Sequence, residues 1–378
     1  MNGAFNLGKV FGIQLRLHYS WFIIFVLLTF LLVSPYWYSL LWWAVGIAAC
    51  LLFFGSVIAH ELAHSLVGRA NGIPVKSITL FLFGGVAQMT REAKRPSAEL
   101  KMAAAGPLCS LAIGGVFSLI SFLNPDMSMP VARMVQWLAF MNFALAAFNL
   151  IPGFPLDGGR LFRSAVWRFT GDYRRSTRIA TRVGEGVGYA FIGGGITIVV
   201  LSVFNLSPFG LSWFNWFSGV WMAFIGWFLK NAASASYRQA QWRETLKRFT
   251  AAQVMTVSCP AIPSDITISQ LVQEYVLPRG CHLFMAADEG GLQGILTLQH
   301  IKSVPRQEWD VTQVKDVVTP IDKLKTAHPS QDVLSVLEQM DESGINEVPV
   351  VSEGRVIGLI ARDDLVRFLH TRSELGIK

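Results

Sequence analysis

The residues of this chain best suited to carry out chemistry are His60, Glu61 and His64, which form the pattern His-Glu-x-x-His. Two histidines four residues apart on a helix project from one side, so both imidazoles can bind a single zinc ion. Glu61 lies beside them and can take a proton from the attacking water. The pattern falls near the end of an apolar stretch long enough to cross a bilayer, where charge is costly and usually functional. The alternative is that the two histidines only form hydrogen bonds between helices.

Asp157 is the candidate third ligand, because a catalytic zinc site usually has three protein ligands and one open position. The run from Asn149 to Arg160 contains Pro152 and Pro155, which break a helix and leave the backbone extended. Asp157 follows at the predicted depth of His64. The sequence therefore predicts one zinc ion per chain, held by Asp157 and the histidine pair. The alternative role for Asp157 is to cap the N-terminus of the next helix.

The elements that must position these residues are transmembrane helices. The chain is 52% hydrophobic and only 15% charged, whereas a soluble domain has about 25% charged residues. Glu61 and Asp157 are the two acidic residues that we assign to positions in or against the apolar segments. Six such segments are predicted, at roughly 19–34, 39–67, 100–123, 132–152, 184–204 and 212–229.

The distribution of charge predicts the orientation. The connectors at 68–101 and 153–183 are rich in lysine and arginine. The other three connectors together contain one charged residue, Asp126. The positive-inside rule then predicts a cell-membrane protein with both termini cytoplasmic and the metal site toward the cytoplasmic side. Residues 1–250 contain 21 Lys/Arg against 8 Asp/Glu, and residues 251–378 contain 11 against 17. The basic excess therefore belongs to the membrane half, and no nucleic-acid partner is predicted.

The segment from Ile73 to Thr90 is apolar, rich in β-branched and aromatic residues, and interrupted by Pro74, Gly84 and Gly85. We predict a re-entrant β-hairpin that dips into the membrane, where its backbone must be covered by protein or line a cavity. A cytoplasmic strand pair is the alternative.

From about residue 250 the composition becomes that of a soluble α/β domain with an internal repeat. Val254 opens one copy and Val317 the other, and each continues with a helix, two short strands and a second helix. We predict a transmembrane domain, a linker and two tandem repeats, with bounds of 1–230, 231–250, and 251–378 (about 251–312 and 313–378).

The chain resembles the site-2 protease family of intramembrane zinc metalloproteases. The matching motifs are the apolar His-Glu-x-x-His helix, the FGGVA hairpin (83–87), the Ala-Gly-Pro turn (105–107) and the FNLIPGFPLDGGR run (148–160). The resemblance implies zinc held by His60, His64 and Asp157, with Glu61 as general base. It implies that Asn149 positions the substrate or the developing oxyanion. It also implies that the hairpin edge pairs with an unwound substrate strand, through Phe83, Gly84, Gly85 and Val86.

The C-terminal repeat resembles a pair of cystathionine-β-synthase (CBS) domains, which often bind adenine nucleotides through a hydroxyl residue and an aspartate three positions later. The first copy has Thr297 but His300 in the aspartate position, and the second has Asp364 but Ala361 in the hydroxyl position. Each copy is half complete, so a nucleotide site at Thr297 and Asp364 is one interpretation. A module for homodimerisation or docking is the other.

The resulting prediction is a polytopic α-helical membrane protein with about six transmembrane helices, a re-entrant β-hairpin and a C-terminal α/β CBS-pair domain. Its predicted function is that of a zinc endopeptidase that cleaves the transmembrane segments of membrane proteins in regulated intramembrane proteolysis. A CBS-gated metal or ion transporter is the alternative, but a transport path should spread polar residues along several helices. The glycines at 184–195 predict either close helix packing or a mobile gate.

Overall fold

The computed structural model describes residues 4–81, 84–89, 92–204, 216–256, 261–279, 283–288, 291–320, 325–353, 355–362, 364–365 and 367–368. The chain divides into two compact units, Met1–Gln241 and Trp242–Lys378. The elements of the first unit are β1 (Ala4–Val10), β2 (Ile13–His18), α1 (Ser20–Val33), α2 (Leu40–Ala70), β3 (Val75–Phe81), β4 (Gly84–Met89), α3 (Pro96–Leu123), α4 (Met129–Asn149), α5 (Asp157–Thr170), α6 (Tyr173–Val203) and α7 (Trp216–Leu246), which continues past Gln241.

Among the described residues, four helices are long and apolar enough to cross a membrane, namely α2, α3, α4 and α6. A shorter apolar helix covers Ser20–Tyr36. At 1.5 Å per residue, the 31 residues of α2 extend about 46 Å, which exceeds the ~30 Å hydrocarbon layer. The core between α1, α2 and α4 is built from large apolar side chains that include Trp21, Phe54 and Leu138.

The first unit also contains a four-stranded sheet with the order β1-β2-β3-β4. The predicted hairpin is confirmed as the antiparallel pair β3–β4, with Leu80 opposite Gly85. The pair β1–β2 was not predicted, and β2 lies parallel to β3. Alternating burial along β2 explains its position inside the sheet. Ile13, Leu15 and Leu17 point into the core, while the residues between them are half-buried. Strand β4 forms one edge of the sheet.

Two glycine-rich helices pack closely in the first unit. A Cβ atom added at Gly195 of α6 would lie 2.5 Å from the backbone nitrogen of Ala223 in α7, and one at Gly188 would lie 2.9 Å from the carbonyl oxygen of Gly226. Gly193 has open space around it. The structure therefore supports the close-packing interpretation at these two glycines, since a side chain there would force the helices apart.

In the part of the chain that the structure describes, the second unit is an α/β structure with two sheets. Its elements are α8 (Ala251–Val254), β5 (Ala261–Pro263), α9 (Ile268–Leu271), α10 (Leu277–Arg279), β6 (Leu283–Asp288), β7 (Gly291–Thr297), α11 (Leu298–Ser303), α12 (Val314–Val317), β8 (Thr319–Pro320), α13 (Val333–Ser343), β9 (Glu347–Ser352) and β10 (Arg355–Ala361). One sheet has the order β5-β6-β7-β8 and the other pairs β9 with β10. The two hairpins β6–β7 and β9–β10 occupy corresponding positions in the predicted repeat.

Candidate metal centre

The structure brings His60, His64 and Asp157 together. Both histidines lie on α2, and Asp157 is the first residue of α5. Asp157 Oδ2 is 3.2 Å from His60 Nε2 and 2.9 Å from His64 Nε2, and the two Nε2 atoms are 3.2 Å apart. Both histidines are buried and Asp157 is partly buried. A histidine pair on one helix and a carboxylate 93 residues after His64 therefore direct one donor atom each at a common point.

The other ring nitrogens of the histidines are held by α3. His64 Nδ1 is 2.6 Å from the carbonyl oxygen of Met102, and His60 Nδ1 is 2.9 Å from Ser110 Oγ. A carbonyl oxygen can only accept a hydrogen bond, so His64 Nδ1 carries the proton and its Nε2 presents a lone pair in the neutral ring. This is the arrangement that orients histidine ligands in metal sites.

These donors fit a zinc ion. With neutral histidines, a lone pair of His64 faces the Asp157 carboxylate at 2.9 Å, and such electron-rich atoms repel each other unless a cation or a proton lies between them. Two imidazole nitrogens and one carboxylate oxygen also form a donor set that is common for catalytic zinc. The structure is thus compatible with the predicted ligand set.

Gly106 of α3 lies against the same two imidazoles. A Cβ atom added to it would lie 2.1 Å from His64 Nε2 and 2.6 Å from His60 Nε2. The predicted Ala-Gly-Pro turn at 105–107 is wrong, because these residues are inside helix α3. The apolar residues on both sides continue the helix despite Pro107, and the glycine allows α3 to approach the histidines.

The backbone that leads into α5 positions Asp157. Helix α4 ends at Asn149 and α5 begins at Asp157, so the two prolines lie between helices as the sequence predicts. The N-cap of α5 is Leu156, and the Asp157 carboxylate contacts the histidines, so the alternative N-cap role is wrong. A Cβ atom at Gly158 would lie 2.3 Å from the carbonyl oxygens of residues 150 and 151. Glycine therefore permits the connector to fold back onto the start of α5.

Glu61 lies beside the hairpin edge. A Cβ atom at Gly85 of β4 would lie 2.4 Å from Glu61 Cγ and 3.1 Å from its Oε1. Strand β4 is the outer strand next to β3, and Val86 is 50% exposed on it. An extended peptide that paired with this edge would therefore lie near the Glu61 carboxyl group.

Replacing Gly85 with alanine should reduce cleavage about tenfold or more while zinc content stays unchanged. The new methyl group would overlap Glu61 Cγ, so the carboxyl group or β4 must move, and a small displacement of a catalytic group can be costly in rate. Cleavage rate and zinc content of the purified variant check this. Gly115→Ala on α3, where an added Cβ atom has no neighbour within 4 Å, is the control. Equal cleavage by Gly85→Ala and wild type would contradict the adjacency.

Other predicted site residues are placed differently. Asn149 is half-buried at the end of α4, and its amide nitrogen donates to the Leu145 carbonyl oxygen of its own helix at 3.1 Å. Within the described part of the chain, it forms no hydrogen bond to the three clustered side chains. Gly84, Gly85 and Val86 lie on β4, while Phe83 falls outside the described residues.

Several buried polar residues were missed by the sequence reasoning. Glu99 is 1% exposed and pairs with Arg163, and Glu185 of α6 accepts a hydrogen bond from Ser234. The prediction that Glu61 and Asp157 are the two acidic residues in or against the apolar segments is therefore wrong. Asn142 of α4 is fully buried and donates to Ser56 Oγ on α2, the helix of the histidines. An asparagine in the middle of an apolar segment is the signal that could have revealed it.

In the second unit, Thr297 and His300 are hydrogen-bonded to each other at the start of α11. The Thr297 backbone N–H donates to His300 Nδ1 at 3.2 Å, and Thr319 Oγ1 is 3.2 Å from His300 Nε2. Burial lowers the pKa of His300, which favours the neutral ring. Thr297 is itself 9% exposed. Asp364 Oδ2 accepts from Thr256 Oγ1 at 3.2 Å.

Comparison with known proteins adds a second line of support for the predicted zinc protease. The Synechocystis sp. protein sll0528, named as a zinc metalloprotease, is 36% identical over 98% of this chain and 97% of its own length. Rip3 of Mycobacterium tuberculosis, also named as a zinc metalloprotease, is 32% identical over 98% of this chain and 93% of its own length. The model of peptidase family M50 matches residues 48–127 and 113–192.

The chain belongs to peptidase family M50, the site-2 proteases. This zinc metalloprotease is thus a polytopic helical membrane protein, and the alternative of an ion transporter is not supported. A CBS domain model matches residues 314–371, so the α/β unit of this M50 peptidase contains a CBS domain. A solved structure of the site-2 protease from Methanocaldococcus jannaschii is 28% identical and covers 61% of this chain and 94% of that chain, with a TM-score of 0.42.

Proposed function

We propose that this metalloprotease cleaves peptide bonds within the transmembrane segments of other membrane proteins. The observation that carries the proposal is the convergence of His60, His64 and Asp157 beside Glu61 and the open edge of β4. A zinc ion bound by the three donors would supply a Lewis acid and lower the pKa of a water ligand.

The chain's own groups account for the remaining chemistry. Glu61 would accept a proton from the attacking water and return it to the leaving amine, which is the role of a general base and then a general acid. A helical substrate must unwind before its peptide bond is accessible, and the backbone along the outer edge of β4 would bind the unwound strand. Asn149, at the end of α4, would provide an amide hydrogen bond to the substrate or to the developing oxyanion.

Membranes of cells that produce either the wild-type chain or the Glu61→Gln variant test the proposal. We expect certain membrane proteins to accumulate intact only with the variant, while the wild type yields fragments that end within a transmembrane segment. An M50 peptidase that cuts only in soluble loops would show fragment ends outside such segments, and that result would contradict the proposal.

We propose that both termini and the basic connectors are cytoplasmic, because the connectors at 68–101 and 153–183 contain most of the positive charge between the apolar segments. The metal centre would then lie toward the cytoplasmic side of the cell membrane. Cysteine labelling from each side, with cysteines introduced at exposed positions of these connectors, would report the orientation.

We further propose that the second unit is a regulatory CBS pair, able to dimerise, and that an adenine nucleotide binds near Thr297 and Asp364. The carboxylate of Asp364 is held in place by Thr256, which favours a defined acceptor for ribose hydroxyls. We expect the nucleotide site of the first copy to be incomplete, because His300 cannot replace a carboxylate there.

Titration of the full-length protein in detergent with ATP, ADP and AMP should therefore release heat for at least one nucleotide. Loss of the charged acceptor in Asp364→Ala should weaken binding about tenfold to a hundredfold, as expected for a charge-assisted hydrogen bond of ~1.5–3 kcal/mol. The exposed Asp310→Ala is the control. Heat from none of the three nucleotides would leave dimerisation or docking as the role of this unit.

A further inference from the structure

A buried ion pair joins α3 and α5 on the first unit. Glu99 of α3 is 1% exposed and Arg163 of α5 is 8% exposed. Arg163 Nε donates to Glu99 Oε1 at 2.8 Å, and Arg163 Nη2 donates to the same oxygen. Burying two charges is costly unless the geometry is well matched, so such a pair contributes little to stability by itself. Its presence calls for a role other than stability.

The Arg163 side chain is held from two further directions. Its guanidinium lies 4.9 Å from the ring centre of Phe154, in the connector before α5, and 4.7 Å from that of Tyr173, at the start of α6. The Tyr173 hydroxyl donates to Glu92 Oε2 at 2.6 Å. A planar guanidinium suits this combination of ion pairing and stacking, which an ammonium group cannot reproduce. The position of Arg163 relative to α3 is therefore tightly defined.

The two partners lie on the two elements that complete the metal centre. Glu99 precedes Met102 on α3 by about one turn, and the Met102 carbonyl fixes His64 Nδ1. Arg163 is on α5, whose first residue is Asp157. The same helix α3 also presents Ser110 to His60. The ion pair thus connects the helix that orients both histidines to the helix that supplies the carboxylate.

We propose that the Glu99–Arg163 pair is a positioning device that sets the separation between the Asp157 carboxylate and the histidine pair, and thereby the zinc affinity of the site. The inference rests on the proposed ligand set. Outer groups that orient metal ligands typically change metal affinity 10- to 100-fold when altered. Neither residue contacts the ligands, so the effect would pass through the placement of α5 against α3.

The experiment uses the full-length protein in detergent and a variant that removes both charges together, Glu99→Leu/Arg163→Met. Removing both avoids an unpaired buried charge, so the fold should persist. Zinc affinity is measured by competition with a chelating dye, alongside the unfolding temperature and cleavage kinetics. We expect the unfolding temperature to stay near that of wild type, the zinc dissociation constant to rise about tenfold or more, and kcat to fall with little change in KM.

Two further variants make the test specific. Arg163→Lys keeps the charge but loses the planar fork, and should give an intermediate zinc affinity. Asp341→Asn/Arg362→Gln removes an ion pair of the second unit and should leave zinc affinity unchanged. If the folded Glu99→Leu/Arg163→Met variant or the folded Arg163→Lys variant binds zinc as tightly as wild type, the inference is overturned. That result would leave the proposed zinc ligands unaffected. A wild-type chain that binds no zinc would instead refute the ligand set itself.

Discussion

Replacing Gly106 with alanine should abolish zinc binding and, with it, cleavage. The added methyl carbon would lie 2.1 Å from His64 Nε2 and 2.6 Å from His60 Nε2, which are the two atoms proposed to bind the metal. Non-bonded carbon and nitrogen atoms cannot approach so closely, so either α3 must withdraw or the imidazoles must rotate. Rotation would also break the bonds from the Nδ1 atoms to Met102 and Ser110. Metal analysis of the purified variant checks the result.

The matched control for this substitution is Gly115→Ala on the same helix. A Cβ atom at Gly115 has no neighbour within 4 Å, so the methyl group meets no obstacle. Alanine is the better helix former by about 1 kcal/mol, and this control should keep its zinc and its activity. Full zinc content in Gly106→Ala would contradict the contact between α3 and the histidines.

Replacing Glu61 with glutamine should remove cleavage but leave zinc in place. Glutamine has nearly the same shape as glutamate, and Glu61 is not among the three clustered donors. It cannot accept and return a proton, and general acid–base catalysis typically contributes about 10²- to 10⁴-fold in rate. We therefore expect kcat to fall at least about 10²-fold, while the metal content equals that of wild type. Cleavage of a membrane substrate and metal analysis are measured on the same preparation.

Glu185→Gln is the control for this second prediction. Glu185 is also a partly buried glutamate of an apolar helix, but its carboxylate accepts from Ser234 of α7. Its substitution should leave the cleavage rate within a few-fold of wild type. Retained cleavage by Glu61→Gln would refute the assignment of the general base, and loss of zinc from that variant would show that Glu61 is a ligand.

The centre of the site was predictable because its signals are local or depend on depth in the membrane. The spacing of His60 and His64 fixes their common helix face, and the prolines before Asp157 mark the end of a helix at the same level. The partners of the histidines on α3 depend on how two distant helices pack. Neither the Met102 carbonyl nor Ser110 has a sequence signal that connects it to α2.

Two errors have physical reasons of the same kind. A glycine followed by a proline usually marks a turn, but at Gly106 the apolar residues on both sides keep α3 helical. Glu99 stands at the polar end of an apolar segment, where a charged residue is normally solvated. Its burial becomes evident only when Arg163, 64 residues later, is placed against it.

The small sheet was only half predictable. Local alternation and two glycines predict the hairpin β3–β4. The alternation of Ile13, Leu15 and Leu17 predicts strand β2 only if the chain before the first apolar segment is expected to be ordered. The parallel pairing of β2 with β3 joins segments separated by two helices. Such a long-range pairing is a property of the assembled fold.

The metal content of the purified full-length chain tests the central assignment most directly. We predict one zinc ion per chain in the wild type, and none in His60→Ala, His64→Ala or Asp157→Ala, because each of these variants lacks one of three ligands. A zinc-free wild type, or a full complement of zinc in Asp157→Ala, would contradict a centre built by α2 and the start of α5.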